Sequence, residues 1–150
     1  TVTVNSHTLG LACFRIASEE SRWQAREAWV NKALKINIAT PVWVDGHLYS
    51  QGANRDYVCV EAATGRLCWS QPGFGQGRRD YSATIAVGKN LLVLTESGTL
   101  FLLAANPVKY VELGRAQVCG NTWSHPAYVD GKLYVRDGRS LACLELTSSP

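Results

Sequence analysis

The sequence lacks several features that would assign it a chemistry. It contains no methionine, no CxxC pair among its five cysteines, and no long uninterrupted apolar run. A membrane-spanning helix needs about 20 predominantly apolar residues, so no membrane span is predicted. Without CxxC, neither a zinc knuckle nor a thioredoxin-like redox motif fits the cysteines. We therefore expect no metal site.

Neither sign of charge is in large excess. Fifteen basic and twelve acidic residues give a net charge of +3, and no stretch concentrates lysine and arginine. The longest basic cluster, Arg78-Arg79, is followed at once by Asp80. A nucleic-acid partner is therefore not expected. No signal peptide and no initiator methionine are present, and we expect both ends to be cuts within something longer.

An internal repeat is the main feature that the sequence does have. Three segments align around the turn glycines Gly46, Gly88 and Gly131, which are 42 and 43 residues apart. This period is typical of β-propeller blades. In the first and third segments an aspartate precedes the glycine between apolar alternations, which predicts type I′ hairpins because that turn needs positive φ at both central residues.

Two more strands follow each hairpin, which gives four strands in a complete unit. The predicted units are an incomplete one over residues 1–36, complete ones over 37–73 and 80–118, and an incomplete one over 122–146. We therefore predict an all-β fold, a partial β-propeller of four-stranded antiparallel blades with about three and a half blades in this chain.

Three cysteines recur in phase with the repeat. Cys59 and Cys143 are 84 residues apart with Phe101 midway, and Cys13 shares the Leu-Ala-Cys setting of Cys143. We expect this position to face the core in every unit, because a free cysteine packs as a small apolar side chain.

Cys59 and Cys68 lie on adjacent strands of one hairpin, and two registers are open. If Glu61 faces Arg66, Cys59 faces Cys68 and a cross-strand disulfide is conceivable. If Gly65 is the left-handed residue of a three-residue loop with a bulge, Ala62 faces Arg66, Cys59 faces Trp69, and Cys68 points away. The Thr-Gly ending favours the bulged loop, so we expect no disulfide. We also expect Trp29 and Trp69, at equivalent outer-strand positions, to pack between blades.

The pattern resembles the pyrroloquinoline-quinone-like (PQQ-like) β-propeller repeat, on residues 40–49, 60–69 and 123–137. The stretch Glu61-Ala-Ala-Thr-Gly-Arg-Leu-Cys-Trp69 is similar to the acidic-Ala-x-Thr-Gly-x-x-x-Trp element of such repeats. The resemblance covers about residues 9–146 and looks closest to the C-terminal half of exported bacterial members. It implies a periplasmic or extracellular location and a non-enzymatic scaffold that binds a protein, peptide or glycan.

The cofactor chemistry of the quinoprotein dehydrogenases is not carried over. Those enzymes resemble one another in a vicinal Cys-Cys disulfide, a calcium-binding carboxylate and Asn, and a catalytic Asp. This sequence has no adjacent cysteines and no clustered carboxylates with calcium-loop spacing. We therefore predict no cofactor and no catalytic residue. The alternative is a part of an enzyme (a quinoprotein dehydrogenase or a propeller hydrolase or lyase) whose active site lies in blades absent from this chain.

Candidate binding residues lie at the connections between units and beside them. Trp123 and His125 precede an inner strand. In one interpretation they line the central funnel; in the other, His125 binds a neighbouring blade's backbone and Trp123 packs between blades. Arg78 and Arg79, in a Gly-rich loop, meet an anionic partner or are solvated. Arg136 completes the candidate set.

An incomplete ring has open edges and needs partners. These are the remaining blades of a longer propeller or a second copy of the chain, which would close a seven-bladed ring as a homodimer. In the second case Thr1-Val-Thr-Val-Asn5, which alternates like a strand, would supply the missing outer strand of the partner's last blade.

Overall fold

A computed structural model describes residues 1–6, 9–19, 21–36, 38–74 and 81–146. These residues form fourteen β-strands in four antiparallel sheets, and no helix occurs among them. The strands are β1 (Val2–Ser6), β2 (Gly10–Glu19), β3 (Arg22–Asn31), β4 (Val42–Val44), β5 (His47–Gln51), β6 (Asp56–Glu61), β7 (Leu67–Pro72), β8 (Ser82–Val87), β9 (Asn90–Thr95), β10 (Thr99–Ala104), β11 (Glu112–Gln117), β12 (Ala127–Val129), β13 (Lys132–Arg136) and β14 (Leu141–Glu145).

Each sheet is a meander of strands that are consecutive in the chain. Sheet 1 contains β1 to β3, sheet 2 contains β4 to β7, sheet 3 contains β8 to β11, and sheet 4 contains β12 to β14. The predicted all-β architecture of antiparallel four-stranded units is confirmed by sheets 2 and 3, and sheets 1 and 4 each have three strands.

The predicted inner hairpins form where the Asp-Gly pairs occur. Asp45 and Gly46 have φ angles of 44° and 80°, and Asp130 and Gly131 have 48° and 76°. Positive φ at both central residues is the type I′ geometry, whose twist matches that of the flanking strands. Gly88, with a φ of 59°, begins the two-residue turn of the corresponding hairpin in sheet 3.

The core consists of three apolar layers, each between two successive sheets. Between sheets 2 and 3, for example, the rings of Tyr49 and Tyr57 pack with Leu91, Val93 and Phe101. Separate clusters fill the interface of sheets 1 and 2 and that of sheets 3 and 4. Sheets 2 and 3 are therefore covered on both faces, as stacked blades are.

Trp29 and Trp69 join successive sheets, as predicted. The indole N–H of Trp29, in β3, donates to the carbonyl oxygen of Ala62 after β6, at 3.0 Å. That of Trp69, in β7, donates to the carbonyl oxygen of Asn106 after β10, at 2.8 Å. Buried indole N–H groups need such partners, so each tryptophan both packs and anchors the next sheet.

The outer hairpins of sheets 1, 2 and 3 each contain a bulge. In sheet 2 the amide of Glu61 donates to the carbonyl of Arg66, yet Cys59 lies opposite Trp69 because the register shifts at Cys68. The prediction that Cys59 faces Trp69 is confirmed. The prediction that Cys68 points away is wrong: Cys68 packs against the same core as Cys59, because a bulge residue escapes the strict alternation of the strand.

Two of the three repeat cysteines face the core. Cys13 is 2 % exposed and Cys59 is fully buried. Cys143, in contrast, is exposed, so its predicted core position is wrong. It lies on the face of sheet 4 that points away from sheet 3, and no other sheet of the described residues packs on that face.

The assignment of Phe101 to this position is also wrong by one residue. Cys59 lies opposite Tyr49 in sheet 2, and the corresponding partner in sheet 3, Leu92, lies opposite Leu102. Leu102 therefore fills the cysteine position, on the face toward sheet 4.

The N-terminal segment does not behave as expected for a strand donated to a partner. Residues 2–6 form β1, which pairs with β2 of the same sheet from Val2 opposite Phe14 to Ser6 opposite Gly10. The fourteen described strands amount to three and a half four-stranded blades, divided among four sheets. A homodimer that closes a seven-bladed ring stays a prediction.

Candidate functional site

Two aromatic side chains meet where the inner strands of sheets 3 and 4 begin. Tyr81 directly precedes β8, and Trp123 lies 42 residues later, ahead of β12. Their rings stack with centroids 5.7 Å apart and planes 26° apart. Trp123 is 45 % exposed, so the pair offers a partly solvated apolar surface at the junction of the two sheets. Sequence reasoning named Trp123 but missed Tyr81, which the repeat period would have identified.

Thr122 fixes the backbone that carries Trp123. Its amide donates to the carbonyl oxygen of Glu96, in the turn between β9 and β10, at 2.9 Å. Its hydroxyl donates to the carbonyl oxygen of Arg136 in β13, at 2.5 Å, and accepts from the amide of Ser124, at 3.0 Å. Thr122 is 5 % exposed, so these bonds are shielded from water and hold the aromatic pair in place.

The other predicted candidates are distributed around this point. His125 is exposed, and its Nδ1 lies 2.9 Å from the carbonyl oxygen of Pro126, the next residue in the chain. Arg136 is exposed and its backbone lies beside Thr122. Arg78 and Arg79 lie outside the described residues.

Asp137 organises the turn between β13 and β14. Its carboxylate accepts from the amides of Arg139 and Ser140 in the turn, and from the amide of Gly120 in the connection between sheets 3 and 4. These backbone hydrogen bonds hold the pKa of Asp137 well below its usual range. Because these contacts hold the turn and tie it to the connection between the sheets, Asp137 has a structural role.

A polar cleft of about 260 Å³ opens between the outer parts of sheets 2 and 3. Within it the Arg115 guanidinium contacts the carboxylate of Glu112 with both Nε and a terminal nitrogen, at 2.5 and 2.7 Å, and lies over the ring of Phe101. The Tyr110 hydroxyl donates to the same carboxylate, at 3.0 Å. Arg115 lowers the pKa of Glu112. These groups pair with one another, so the cleft presents an ion pair on an aromatic wall.

The described residues contain no group of three or more His, Cys, Asp or Glu side chains arranged to hold a metal ion. No helix long and apolar enough to cross a membrane occurs in the part of the chain that the structure describes. The candidate site is the partly exposed surface around the Tyr81–Trp123 pair.

Comparisons with known proteins bear on the fold. No protein-family model and no curated protein matches this sequence. Among solved structures, BamB from Moraxella catarrhalis superimposes with a TM-score of 0.72 and 14 % identity, over 96 % of this chain and 46 % of BamB. A computationally designed protein, Ika8, gives a TM-score of 0.47 and 9 % identity, over 88 % of this chain and 51 % of Ika8.

The chain spans about half the length of the structures it matches. At such low identity the likeness to BamB shows the fold, while function has to be argued from the site. The successive antiparallel sheets pack face to face, and the fold is similar to that of BamB. This chain is therefore a partial β-propeller.

Proposed function

We propose that this chain is the interaction part of an exported bacterial PQQ-like repeat protein, a non-enzymatic scaffold that binds a protein or peptide segment. The observation that carries the proposal is the stacked Tyr81–Trp123 pair, held at the junction of two sheets with a partly exposed indole. Large rigid aromatic side chains are the commonest anchors of protein interfaces, because they offer wide contact area at little entropic cost.

Other features support the setting of this function. The Glu61-to-Trp69 element supports the PQQ-like repeat, and its resemblance to exported members supports a periplasmic or extracellular location. The likeness in fold to BamB supports a scaffold in general terms. The remaining blades of a longer propeller are the proposed structural partners. The four units 1–36, 37–73, 80–118 and 122–146 stay a prediction, as do Arg78, Arg79, His125 and Arg136 as binding residues.

A peptide selection tests the proposal. Peptides enriched from a random library on the wild-type protein are measured by calorimetry against wild type and the variants Tyr81→Ala and Trp123→Ala. Loss of an aromatic anchor lowers affinity by about tenfold or more. Trp23→Ala is the matched control, because Trp23 is 79 % exposed on β3 and belongs to sheet 1.

Two results would contradict the proposal. Peptides that bind Trp123→Ala as tightly as wild type would place recognition elsewhere. Binding of oligosaccharides, with no peptide enriched, would favour a glycan ligand. Circular dichroism of each variant establishes that the fold is retained.

A further inference from the structure

The outer hairpin of sheet 2 places two cysteines side by side at its bulge. Cys59 lies opposite Trp69 in the adjacent strand. The next pair is Val60 with Leu67, so Cys68 is left without a partner of its own. Cys68 and Trp69 therefore oppose Cys59 together, as the two residues of a bulge do. Opposed residues of an antiparallel pair have Cα atoms about 4.5–5.5 Å apart, within the range of about 4.4–6.8 Å that a disulfide spans.

Both thiols lie on the same face of sheet 2. Cys59 is fully buried in the core between sheets 2 and 3, and Cys68 packs against that core while part of its surface stays exposed. Strict alternation along β7 would instead place Cys68 on the face opposite to that of Trp69. The expectation of no disulfide depended on a Cys68 side chain that points away from Cys59, and the bulge removes that condition.

The electrostatics of the two thiols agree with this placement. Burial raises the pKa of the Cys59 thiol to about 12, and the Cys68 thiol makes a smaller contribution in the same direction. One thiol affects the ionisation of another in this way when the two side chains are neighbours. The backbone register and the side-chain packing therefore bring the two sulfur atoms to the same place.

The same bulge recurs in two other sheets without a cysteine pair. In sheet 1 the bulged residue is Ala28, beside the pair of Cys13 with Trp29. In sheet 3 the bulged residue is Leu113, next to the residue that faces Leu102. A bulge thus forms with alanine or leucine at this position, so the backbone does not require Cys68. Among the described bulges, the one in sheet 2 combines a thiol in each strand.

We propose that Cys59 and Cys68 form a disulfide that fixes the bulge of sheet 2 under oxidising conditions. The bond lies directly beside Trp69, whose indole N–H binds the carbonyl oxygen of Asn106 in the next unit. It therefore holds in place the residue that anchors sheet 2 to sheet 3. Such a bond persists in an oxidising compartment. It is distinct from the Tyr81–Trp123 pair and goes beyond the proposed function.

A small-molecule disulfide such as oxidised glutathione is a sufficient oxidant. The Cys68 thiol is partly exposed, so its thiolate attacks one sulfur of oxidised glutathione, forms a mixed disulfide and releases one glutathione thiolate. Cys59 then gives up its proton and attacks the Cys68 sulfur, which releases the second glutathione. Two protein thiols are oxidised, and one oxidised glutathione is reduced to two thiols. Because the raised pKa of Cys59 leaves little thiolate, the second step is slow in the folded protein.

Peptide mapping by mass spectrometry tests the bond in the full chain. The reduced protein is equilibrated with oxidised glutathione, both from the folded state and by dilution from urea, so that slow ionisation of Cys59 does not hide the product. Remaining thiols are blocked with N-ethylmaleimide, and trypsin is added without reductant. Trypsin cuts between the two cysteines, after Arg66, so the disulfide joins peptides 56–66 and 67–78. We expect this product to exceed every other cysteine pairing about tenfold, because no other pair has this geometry among the described residues.

A displaced cysteine is the matched control for the geometry. The double variant Cys68→Ser, Leu67→Cys moves the thiol by one residue to a position opposite Val60, whose side chain faces sheet 1. We expect at least about tenfold less linkage to Cys59 in this variant, because the two Cβ vectors then point apart. Equal linkage would show that a mobile hairpin brings the thiols together, and would overturn the proposed geometry.

The exposed Cys143 reports whether the oxidant has acted. A sample in which Cys143 carries glutathione while Cys59 and Cys68 are both blocked by maleimide would overturn the proposal. Oxidation should also raise the midpoint of thermal unfolding of the wild type by about 5 °C or more, and leave that of Cys68→Ser unchanged. Linkage without this rise would overturn the role in fixing the bulge. Peptide binding at Trp123 is measured separately, so failure here leaves the proposed function untouched.

Discussion

At the scale of single residues, Gly65 shows how backbone conformation and packing depend on each other. Its φ of +74° lies in the left-handed region, and its missing side chain faces the indole of Trp29. The carbonyl oxygen of Gly65 accepts from the side-chain amide of Asn31, at 2.7 Å. The turn between β6 and β7 therefore docks on sheet 1 only because a glycine stands there.

Substituting Gly65 separates the two effects. A Cβ at Gly65 would overlap the Trp29 ring, with Cδ2 at 2.7 Å, whereas at Gly73, with the same φ of +74°, nothing lies within 4 Å. We expect Gly73→Ala to cost about 1 kcal/mol from the backbone alone. Gly65→Ala should cost about 3 kcal/mol, because overlap adds about 1–3 kcal/mol. Urea unfolding measures both, and equal losses would show that the contact with Trp29 is not the cause.

The cysteines should differ in reactivity according to the face they occupy. Burial, with a smaller contribution from the neighbouring Cys68 thiol, raises the pKa of the Cys59 thiol to about 12. Cys143 is exposed. Because the thiolate is the nucleophile, iodoacetamide at pH 8 should modify Cys143 first and leave Cys59 unmodified until the protein unfolds. Mass spectrometry of timed digests follows this order, and early modification of Cys59 would contradict it.

At the scale of elements, the hairpins were predictable because their causes are local. The Asp-Gly pairs impose positive φ, and the turns formed where the sequence places them. The equivalence of Trp29 and Trp69 was also predictable, since the repeat period carries a position from one unit to the next.

Features that depend on packing between elements were not predictable from the same pattern. The bulge at Cys68 sits inside the strand pair and not in the loop, so turn chemistry alone gave the wrong direction for Cys68. The exposure of Cys143 depends on what packs on the last sheet, which a repeat alignment does not contain. The stacking of Tyr81 on Trp123 joins two sheets and required their relative positions.

The interface of sheets 2 and 3 should be sensitive to alkali. Burial raises the pKa of Tyr57 well above its usual value of 10.0, and the hydroxyl lies 3.1 Å from that of Thr84. Burial likewise raises the pKa of Tyr49 and Tyr110. Above pH 10 the unfolded chain releases tyrosine protons that the folded interface keeps. The free energy of unfolding is therefore unaffected by these groups below pH 10 and falls above it, by about 1.4 kcal/mol per pH unit for each tyrosine that stays protonated in the folded state.

The variant Tyr57→Phe assigns part of this slope. It removes one such proton, so its free energy of unfolding should fall less steeply above pH 10, although loss of the bond to Thr84 costs about 1 kcal/mol at pH 7. Urea unfolding at pH 7, 9, 10 and 11 measures the slope. An unchanged slope in the variant would mean that Tyr57 is not the group concerned.

At the scale of the whole molecule, stability follows position in the row of sheets. Among the described residues, sheets 2 and 3 are packed on both faces, whereas sheets 1 and 4 are each packed on one. The outer half of the β2–β3 hairpin extends into solvent, with Trp23 79 % exposed. In stacked repeats each unit gains stability from its neighbours, so the inner sheets should open last.

Hydrogen exchange can test this gradient in the intact chain. Amides of β6 and β10, whose side chains are mostly buried, should exchange slowest, at rates set by global unfolding. Amides of the exposed half of β3 and of β14, at the open edge of sheet 4, should exchange at least about tenfold faster through local opening. Equal protection in all four sheets would instead show that they unfold as one cooperative unit.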